Sequence, residues 1–345
     1  RDADALARVE ARAAVATRQA DCSKPDSITS AIQEARLVVN ALPGFLGFQA
    51  LRTILEAGKD VVDISFFPED ALALHGLARE RGVVALTDCG VAPGMSNFLL
   101  GYWDAHLEVQ RFECLVGGLP QHPKPPFHYK APFSPIDVIE EYTRPARIQR
   151  QGQAIVLPAL SEVEAVAIPP VGDLEAFNSD GLRSLLHTLP HIPDMVEKTL
   201  RYPGHAHLIS QFEAAGFFQE APIVVDGQPV SPLALSSQLL TDQWKLEAGE
   251  PELTVMRIRI AGNDAGKPRT IQYDLYDTYD PATDTSSMAR TTGYTCTAMV
   301  DLLLKGLYTT PGIAPPEHIG RDQQCHDAVL AYLKQRGVHY RLTEI

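Results

Sequence analysis

The run Leu37-Val-Val-Asn-Ala-Leu-Pro43 is an apolar stretch that ends in a polar residue and a turn. Two later runs, Asp60-Val-Val-Asp63 and Val83-Val-Ala-Leu-Thr-Asp88, have the same pattern, and each ends in an acid. Short apolar runs of this kind are typical of parallel strands that are buried on both faces. Segments with helical signals alternate with them, at residues 26–34, 48–58 and 69–82. This alternation predicts half of a doubly wound parallel sheet, a Rossmann-type α/β fold.

The glycine-rich loop G-x-G-x-x-G that opens such a sheet does not precede these strands. The chain instead starts on Arg1-Asp-Ala-Asp-Ala-Leu6, which is typical of a helix that follows a second strand. We therefore expect an N-terminally truncated copy of a longer protein, from which roughly 30 residues, about one βαβ unit, are missing. Because that loop supplies the N–H groups that hold a pyrophosphate, we expect this chain to bind a dinucleotide poorly.

Composition narrows the class of protein. A chain of 345 residues is long enough for two domains, or for one domain with a large insertion. The formal net charge of −13, without a basic stripe, argues against nucleic-acid and membrane-surface partners. The sequence contains neither a long apolar segment nor a signal peptide, so we expect a cytoplasmic protein. Five scattered cysteines without C-x-x-C predict neither a disulfide framework nor a metal site.

The texture of the sequence changes near residue 110. Residues 111–117 and 153–157 are predicted strands, with a proline-rich passage between them. Residues 252–260 and 270–280 alternate in polarity on either side of Gly262-Asn-Asp-Ala-Gly266, which is a hairpin signal. These pairs predict an inserted α+β domain that contains an antiparallel sheet.

Three domains are predicted along the chain. Residues 1–108 form the truncated dinucleotide-binding domain and residues 109–284 the α+β domain, which serves substrate binding and dimerisation. Residues 289–306 have helical periodicity. They predict that residues 285–345 return to the first domain as helices.

Cofactor-binding candidates follow from the rule that ligands of an open α/β sheet lie at the carboxyl ends of its strands. The candidates are Asp21, Asn40, Ala41, Leu42, Pro43, Asp63, Ile64, Ser65, Asp88, Val91, Ala92 and Pro93. Pro-Gly after Leu42 is also ordinary turn chemistry. Asp21 would bond an adenine amino group or cap the helix that begins near Pro25.

Two acids have further roles open to them. Asp63 precedes Ile-Ser-Phe-Phe, and aromatic neighbours would raise its pKa toward that of a useful base. It would otherwise orient a ribose or cap a helix. Asp88 begins Asp88-Cys-Gly-Val-Ala-Pro-Gly-Met-Ser-Asn97, a rigid loop suited to lie beside a nicotinamide ring. Helix capping by Ser96 or Asn97 is the alternative explanation of this loop.

Lys130, Arg183 and Arg290 are the cations in unusual local settings. An arginine can hold a carboxylate through two parallel hydrogen bonds, so a site for an amino or keto acid would use one. The alternative is an ordinary surface ion pair. His205 and His207 form H-x-H, for which a packed or capping role is favoured over metal binding because no further ligand lies nearby in the sequence.

Taken in order, a series of motifs spread over nearly the whole chain resembles the saccharopine dehydrogenase-like family, and within it the lysine 6-dehydrogenase branch. The motifs are Val39-Asn-Ala-Leu-Pro-Gly-Phe-Leu-Gly-Phe48, Val62-Asp-Ile-Ser-Phe66, Asp88-Cys-Gly-Val-Ala-Pro-Gly94, Gly117-Gly-Leu-Pro120, Pro158-Ala-Leu-Ser-Glu-Val-Glu164, Glu175-Ala-Phe-Asn-Ser-Asp-Gly-Leu-Arg-Ser184, Arg201-Tyr-Pro-Gly-His205 and Met288-Ala-Arg-Thr-Thr-Gly-Tyr294. The resemblance implies an NAD(P)-binding Rossmann domain, an inserted α/β domain, a homodimer and a small amino-acid substrate. Family members also carry the glycine loop that this chain lacks.

The activity that the resemblance implies is oxidation of the amine of an amino acid with NAD or NADP as the cofactor. In a lysine 6-dehydrogenase the neutral ε-amine loses hydride from its carbon to the nicotinamide, water hydrolyses the imine, and the semialdehyde cyclises. Asp63 or Lys130 is the candidate base, Arg183 and Arg290 with Thr291 are the candidate clamps, and Val91 to Pro93 form the nicotinamide platform. A saccharopine or carboxynorspermidine type reductase, which would use both arginines, is an alternative. A non-catalytic binding protein that has lost its glycine loop is another.

Overall fold

The structure is a computed structural model that describes residues 3–131, 135–247 and 249–345. The chain divides into two compact units. The first unit comprises Arg1–Cys89 and Met299–Pro315, and the second comprises Gly90–Ala298 and Pro316–Ile345. The domain boundaries predicted at residues 108 and 284 stay predictions beside this division.

Helices and strands alternate early in the chain, and strands dominate the middle of it. The helices of the described residues are α1 (Ala3–Arg12), α2 (Pro25–Ala31), α3 (Gly44–Glu56), α4 (His75–Arg81), α5 (Met95–Asp104), α6 (Pro135–Thr143), α7 (Leu185–Thr188), α8 (His205–Ala214), α9 (Pro232–Trp244), α10 (Ser287–Leu304), α11 (Pro316–Gly320) and α12 (Gln323–Gln335), with a short 3-10 helix at Ala71–Leu74. The strands are β1 (Leu37–Asn40), β2 (Asp60–Asp63), β3 (Val84–Leu86), β4 (Glu108–Pro120), β5 (Ala146–Arg150), β6 (Gln153–Leu157), β7 (Glu164–Ile168), β8 (Gly172–Asn178), β9 (Asp194–Arg201), β10 (Ile223–Val225), β11 (Gln228–Val230), β12 (Glu252–Asp264), β13 (Lys267–Thr278), β14 (Gly312–Ala314) and β15 (Tyr340–Glu344).

The first unit is built on a parallel sheet of four described strands in the order β1-β2-β3-β14. The three strands predicted from the apolar runs are confirmed. Val61 and Val62 are fully buried, as a strand covered on both faces requires. Val39 is 46% exposed, so burial on both faces is wrong for β1, which is the edge strand of the sheet as described.

The helices of the first unit begin and end where local chemistry dictates. α3 starts at Gly44, four residues before the predicted start, because Pro43 sets its first turn and Gly44 packs tightly: a Cβ there would lie 2.4 Å from the Phe66 carbonyl oxygen. The predicted helix at 69–82 is instead a 3-10 turn followed by α4. Gly82 ends α4 in the left-handed conformation (φ 67°), as predicted for a C-terminal glycine.

The second unit contains a nine-stranded mixed sheet, with the path β15-β13-β12-β4-β9-β5-β6 and the β7-β8 pair joined to β9, counted over the described residues. The predicted hairpin is confirmed as β12 and β13, and it turns more tightly than predicted, at Ala265 and Gly266 (φ 48° and 84°). The predicted antiparallel pairing holds for most of the sheet. β4 and β9 are parallel, which makes the sheet mixed.

In the part of the chain that the structure describes, no helix has the length and apolar character needed to cross a membrane. Among the same residues, no three histidine, cysteine or acidic side chains are grouped as metal ligands would be.

Candidate functional site

The carboxyl ends of the first three strands are joined by buried polar side chains. The parallel register places Asn40 beside Asp63. Asn40 Nδ2 donates to Asp63 Oδ2 at 2.6 Å and to the Gly47 carbonyl at 3.1 Å, and the Ser65 N–H donates to Asp63 Oδ1 at 2.7 Å. Asp63 is fully buried and Asn40 is 2% exposed. Both carboxylate oxygens of Asp63 therefore accept hydrogen bonds at the ends of β1 and β2.

The next predicted residues lie at the same edge. The Cys89 N–H donates to the Asp63 carbonyl at 3.0 Å, which ties the segment after β3 to the end of β2. Asp88 is 7% exposed and has a left-handed backbone (φ 52°), which is uncommon for an aspartate. Ala41 and Pro43 are exposed and Leu42 is half-buried in the loop between β1 and α3. The structure thus brings the candidates of this sheet together at the edge where a dinucleotide is expected.

Asp21 lies in a turn of its own. Its Oδ1 accepts hydrogen bonds from the Ser23 N–H at 3.2 Å and the Ser23 hydroxyl at 2.7 Å. α2 begins after Lys24, and no side chain of the described residues caps it. The capping explanation of Asp21 is therefore wrong, because the carboxylate turns back on the residues before the helix. Its adenine contact stays a prediction.

The predicted nicotinamide platform, residues 91–93, lies in the second unit. It is closed by the Met95 N–H, which donates to the Gly90 carbonyl at 3.1 Å. Gly94 has a φ of 146°, and a Cβ there would lie 1.8 Å from the Gly90 carbonyl oxygen, so only glycine fits. Capping of α5 by Ser96 or Asn97 is wrong for the residues described. Gly94 is the residue that precedes the helix, and Ser96 and Asn97 are buried residues within its first turn.

Other predicted residues lie near this platform within the second unit. The Thr292 methyl carbon is 3.6 Å from the position a Cβ would take on Gly90, so the first turns of α10 contact the platform loop. Asn97 Nδ2, in the first turn of α5, makes a long hydrogen bond of 3.5 Å to the Leu182 carbonyl.

Arg183 lies in the segment 178–184, which we call the arginine loop. The side chain is 6% exposed. Its backbone is left-handed, with a φ of 52°. A non-glycine residue in this conformation costs free energy that the surrounding structure must supply, and such residues cluster at functional sites. The Leu182 carbonyl just before Arg183 is bonded to Asn97, so the arginine loop contacts the first turn of α5.

Arg290 is held differently. Its Nε and Nη2 each lie 3.2 Å from an oxygen of Asp277, Nη2 also donates to the Arg336 carbonyl at 3.2 Å, and Asp280 lies 3.5 Å from Nη1. Burial opposes the charge, but the hydrogen bonds and charge of Asp277 raise the pKa of Arg290. The Thr291 hydroxyl is fully buried and donates to the Ser287 carbonyl at 2.9 Å. The guanidinium of Arg290 and the hydroxyl of Thr291 are therefore both bonded to other groups of the protein, and these bonds stabilise α10.

Lys130, a candidate base, lies in the second unit. Its Nζ donates to the Lys245 carbonyl at 3.0 Å, and Glu250 lies 3.9 Å away. The side chain is 22% exposed. Lys130 is thus placed as a tie between two segments, with part of its surface open to solvent.

His205 has the packed role favoured from the sequence. It lies between the Tyr142 hydroxyl and the Phe127 carbonyl, each 2.9 Å from a ring nitrogen. Burial and the nearby charge of Arg201 lower the pKa of His205 to about 3, so the ring is neutral. A neutral ring with both nitrogens engaged fits packing.

Two acids with long-range roles were missed by the sequence analysis. Glu252, 1% exposed, accepts hydrogen bonds at Oε1 from the N–H groups of Ser287 and Met288, the first turn of α10. Asp180 accepts three hydrogen bonds from Arg147. Their partners are 35 and 33 residues away, so no local pattern could reveal them. The motif Asn178-Ser-Asp-Gly181 was the only available signal for Asp180.

Family models match both parts of the chain. Residues 1–86 match the model described as saccharopine dehydrogenase NADP binding domain. Residues 90–338 match the model described as saccharopine dehydrogenase C-terminal domain. The fold is similar to that of an apo saccharopine dehydrogenase (L-Glu forming) from Saccharomyces cerevisiae, with a TM-score of 0.78 at 17% identity over 99% of this chain and 92% of that one. This likeness confirms the predicted fold class.

Curated relatives match by sequence as well. An alpha-aminoadipic semialdehyde synthase from Arabidopsis thaliana is 25% identical over 278 residues, which is 74% of this chain and 26% of that protein. The mitochondrial enzyme of that name from Mus musculus is 23% identical over 66% of this chain. The chain spans about a quarter of the length of these relatives. A carboxyaminopropylagmatine dehydrogenase from Synechocystis is 21% identical over 84% of this chain and 76% of that protein.

Proposed function

The chain belongs to the saccharopine dehydrogenase family, and we propose that it is an NAD(P)-dependent oxidoreductase acting on the amine of an amino acid. Support comes first from residues 1–86, which match the NADP-binding model and carry Asn40 and Asp63 at one sheet edge. The observation that carries the proposal is Arg183, buried on a left-handed backbone in a loop bonded to the start of α5.

The proposed substrate is lysine, oxidised at the ε-amine as in a lysine 6-dehydrogenase. Arg183 would hold the α-carboxylate through paired hydrogen bonds. A base would take the ammonium proton before the carbon–hydrogen bond breaks. Bound NAD or NADP would supply the hydride acceptor. Water then hydrolyses the substrate imine, and the semialdehyde cyclises.

Two residues stay proposals for the base. Both Asp63 oxygens accept hydrogen bonds, and Lys130 donates to a backbone carbonyl. Such bonds do not exclude a base, because the hydrogen bonds of a catalytic group in an unliganded enzyme often differ from those in the substrate complex. In the Asp63→Asn and Lys130→Met variants, loss of the base should lower kcat by about 10²–10⁴-fold and remove the rise of kcat/KM with pH. If a variant keeps this rise, the residue that it changes is not the base.

A saccharopine-type reaction is the second candidate. It is favoured by the two family models that match the chain, both of which are described as saccharopine dehydrogenase. It needs a second cationic clamp, and Arg290 is engaged by Asp277 and Asp280. This engagement supports lysine, with its single carboxylate, over a substrate that carries further carboxylates.

The test is an assay of the purified protein with L-lysine and with saccharopine, each with NAD and with NADP, followed by the absorbance of the reduced cofactor. Turnover of L-lysine alone supports the first candidate, and turnover of saccharopine alone supports the second. Reduction with neither, together with dinucleotide binding by calorimetry, would contradict the enzyme proposal and indicate a binding protein.

The homodimer implied by the resemblance and the cytoplasmic location expected from the sequence are also proposals. Light scattering on the eluted protein measures the first through the particle mass, and fractionation of the source cells measures the second. A mass equal to that of one 37.7-kDa chain would contradict the dimer.

A further inference from the structure

We propose that Asp180 is a positioning residue that acts through Arg183, with Arg147 as its partner. The inference rests on the proposed role of Arg183 as a carboxylate clamp. It concerns a residue three positions before the arginine, on the same loop. Asp180 would set where the guanidinium lies without touching the substrate itself.

Asp180 accepts three hydrogen bonds, all of them from Arg147. Its Oδ1 accepts hydrogen bonds from Arg147 Nε at 2.8 Å and from the Arg147 N–H at 3.1 Å. Its Oδ2 accepts from Arg147 Nη2 at 2.8 Å. The Asp180 side chain is 5% exposed, whereas that of Arg147 is 36% exposed. A bidentate pair with one buried partner fixes distance and orientation together.

The rest of the loop is tied to two other parts of the second unit. The Ser179 N–H donates to the Glu197 carbonyl at 3.2 Å, and the Thr199 hydroxyl donates to Ser179 Oγ at 2.9 Å, both on β9. Asn178 Nδ2 donates to Ser161 Oγ and to Glu162, each at 3.1 Å. These bonds hold the residues before Asp180, so Asp180 is the last side-chain tie before the arginine.

Gly181 explains why the loop needs this tie. A Cβ on Gly181 would lie 1.5 Å from Glu197 Oε1, so the backbone runs directly over a buried carboxylate. Two residues later the backbone enters the left-handed region at Arg183. A conformation of that cost persists only where the neighbouring structure over-determines it. The Asp180–Arg147 pair supplies a charge-assisted constraint from β5, the strand that carries Arg147.

Asp180→Asn is the variant that isolates this constraint. An amide keeps the size of the side chain but has one acceptor oxygen where the carboxylate has two, and it turns an N–H₂ donor toward the guanidinium. The matched control is Asp274→Asn in the β12–β13 hairpin. Asp274 Oδ1 accepts from Arg257 Nε at 2.7 Å, and both side chains are mostly buried, at 16% and 12% exposed.

The experiment is a double-mutant cycle of Asp180→Asn and Arg183→Ala, run with the substrate that the protein turns over, L-lysine or saccharopine. We expect Asp180→Asn to raise KM, and the calorimetric Kd, for that substrate by about tenfold with kcat nearly unchanged, since displacing a clamp weakens binding. In the Arg183→Ala background the same change should add nothing. Asp274→Asn should leave KM unchanged.

Hydrogen exchange gives a readout that does not need turnover. Amides of residues 182–184 should exchange faster in Asp180→Asn than in the wild type, and at the wild-type rate in Asp274→Asn. Unchanged exchange at these amides would overturn the inference.

The outcomes separate this inference from the proposed function. An unchanged KM in Asp180→Asn, or effects of the two variants that add fully, would overturn the inference and leave the clamp standing. An unchanged KM in Arg183→Ala would overturn the clamp, and with it this inference.

Discussion

The arginine loop and the first turns of α10 each carry an arginine, but they hold it in different ways. In α10, Arg290 has a helical backbone, and its guanidinium contacts Asp277 and Asp280. In the arginine loop, Arg183 has a left-handed backbone, and the side chains of Ser179 and Asp180 before it bond to β9 and β5. A regular helical backbone needs no such support. The contrast teaches that a helix holds Arg290 by its own regular geometry, whereas the backbone that carries Arg183 is held by bonds of the preceding residues, which supports the proposed placement of that side chain.

Replacing Arg183 should have the largest effect. Arg183→Ala is expected to raise KM for the amino-acid substrate by about 10²–10³-fold, because a charge-assisted clamp is lost and the carboxylate is left unpaired. KM for NAD or NADP should stay nearly unchanged. Steady-state kinetics with each substrate varied in turn measures both. Equal effects on the two KM values would show that Arg183 supports the fold.

Replacing Arg290 should lower the stability of the protein and leave substrate binding unchanged. Arg290→Ala leaves Asp277, 6% exposed, without its ion-pair partner. We expect the free energy of unfolding to fall by about 2–3 kcal/mol, since an uncompensated buried charge is costly. Urea unfolding measures this, and KM for the amino acid should not change. A raised KM without loss of stability would return Arg290 to the substrate site and remove the contrast between the two regions.

Local sequence pattern predicted much of the fold, but it did not predict how the surroundings of Arg183 and Arg290 differ. The strand ends at Asn40 and Asp63, the hairpin of β12 and β13, and the extent of α10 follow from apolar periodicity and turn residues. Each depends on neighbours in sequence, which is why pattern reveals it. The partners of Arg290, by contrast, are set by the folded chain: Asp277 and Asp280 lie 13 and 10 residues before it, and Arg336 lies 46 residues after it.

A matched pair of glycines tests the two regions again. Gly181→Ala places a methyl group against the buried Glu197 carboxylate and should lower the free energy of unfolding by about 1–3 kcal/mol. A Cβ on Gly293 in α10 meets nothing within 4 Å among the described residues. Gly293→Ala should therefore raise stability by about 0.5–1 kcal/mol through helix propensity. Thermal unfolding of both variants checks the signs, and equal effects would contradict the tight fit of the arginine loop.

The smallest expected effect concerns Glu252, which accepts hydrogen bonds from the first turn of α10. Burial raises the pKa of Glu252 from 4.5 to about 7, against the hydrogen bonds from Ser287 and Met288 that lower it. A carboxyl whose folded pKa lies above its unfolded pKa adds stability that is fully present below 4.5 and lost as pH rises through 7. Relative to Glu252→Gln, the wild type should lose stability as pH rises across that range.

Urea unfolding of wild type and Glu252→Gln at several pH values measures this loss. A stability difference that does not vary with pH would show that Glu252 keeps one protonation state. The arginine loop should be insensitive to the same change, since Glu252 lies on β12 and not in that loop.

The site itself was less accessible to sequence than the fold. The candidates at the strand ends of the first unit were found because parallel strands bring their ends together whatever their loops are. Arg147 and Asp180, Glu252 and Ser287, and the parallel pairing of β4 with β9 join segments that no periodicity relates. Asp21 was misassigned as a possible cap because an acid before a helix has the same local pattern whether it bonds the helix or its own turn.

The close contact between Gly181 and Glu197 constrains the order in which this sequence can diverge. A side chain at position 181 requires the Glu197 carboxylate to move out of this place, at a cost in stability. A shorter residue at 197 would open that space first. Lineages that keep this loop should therefore change position 197 before position 181, so that the two substitutions form a one-way sequence of steps.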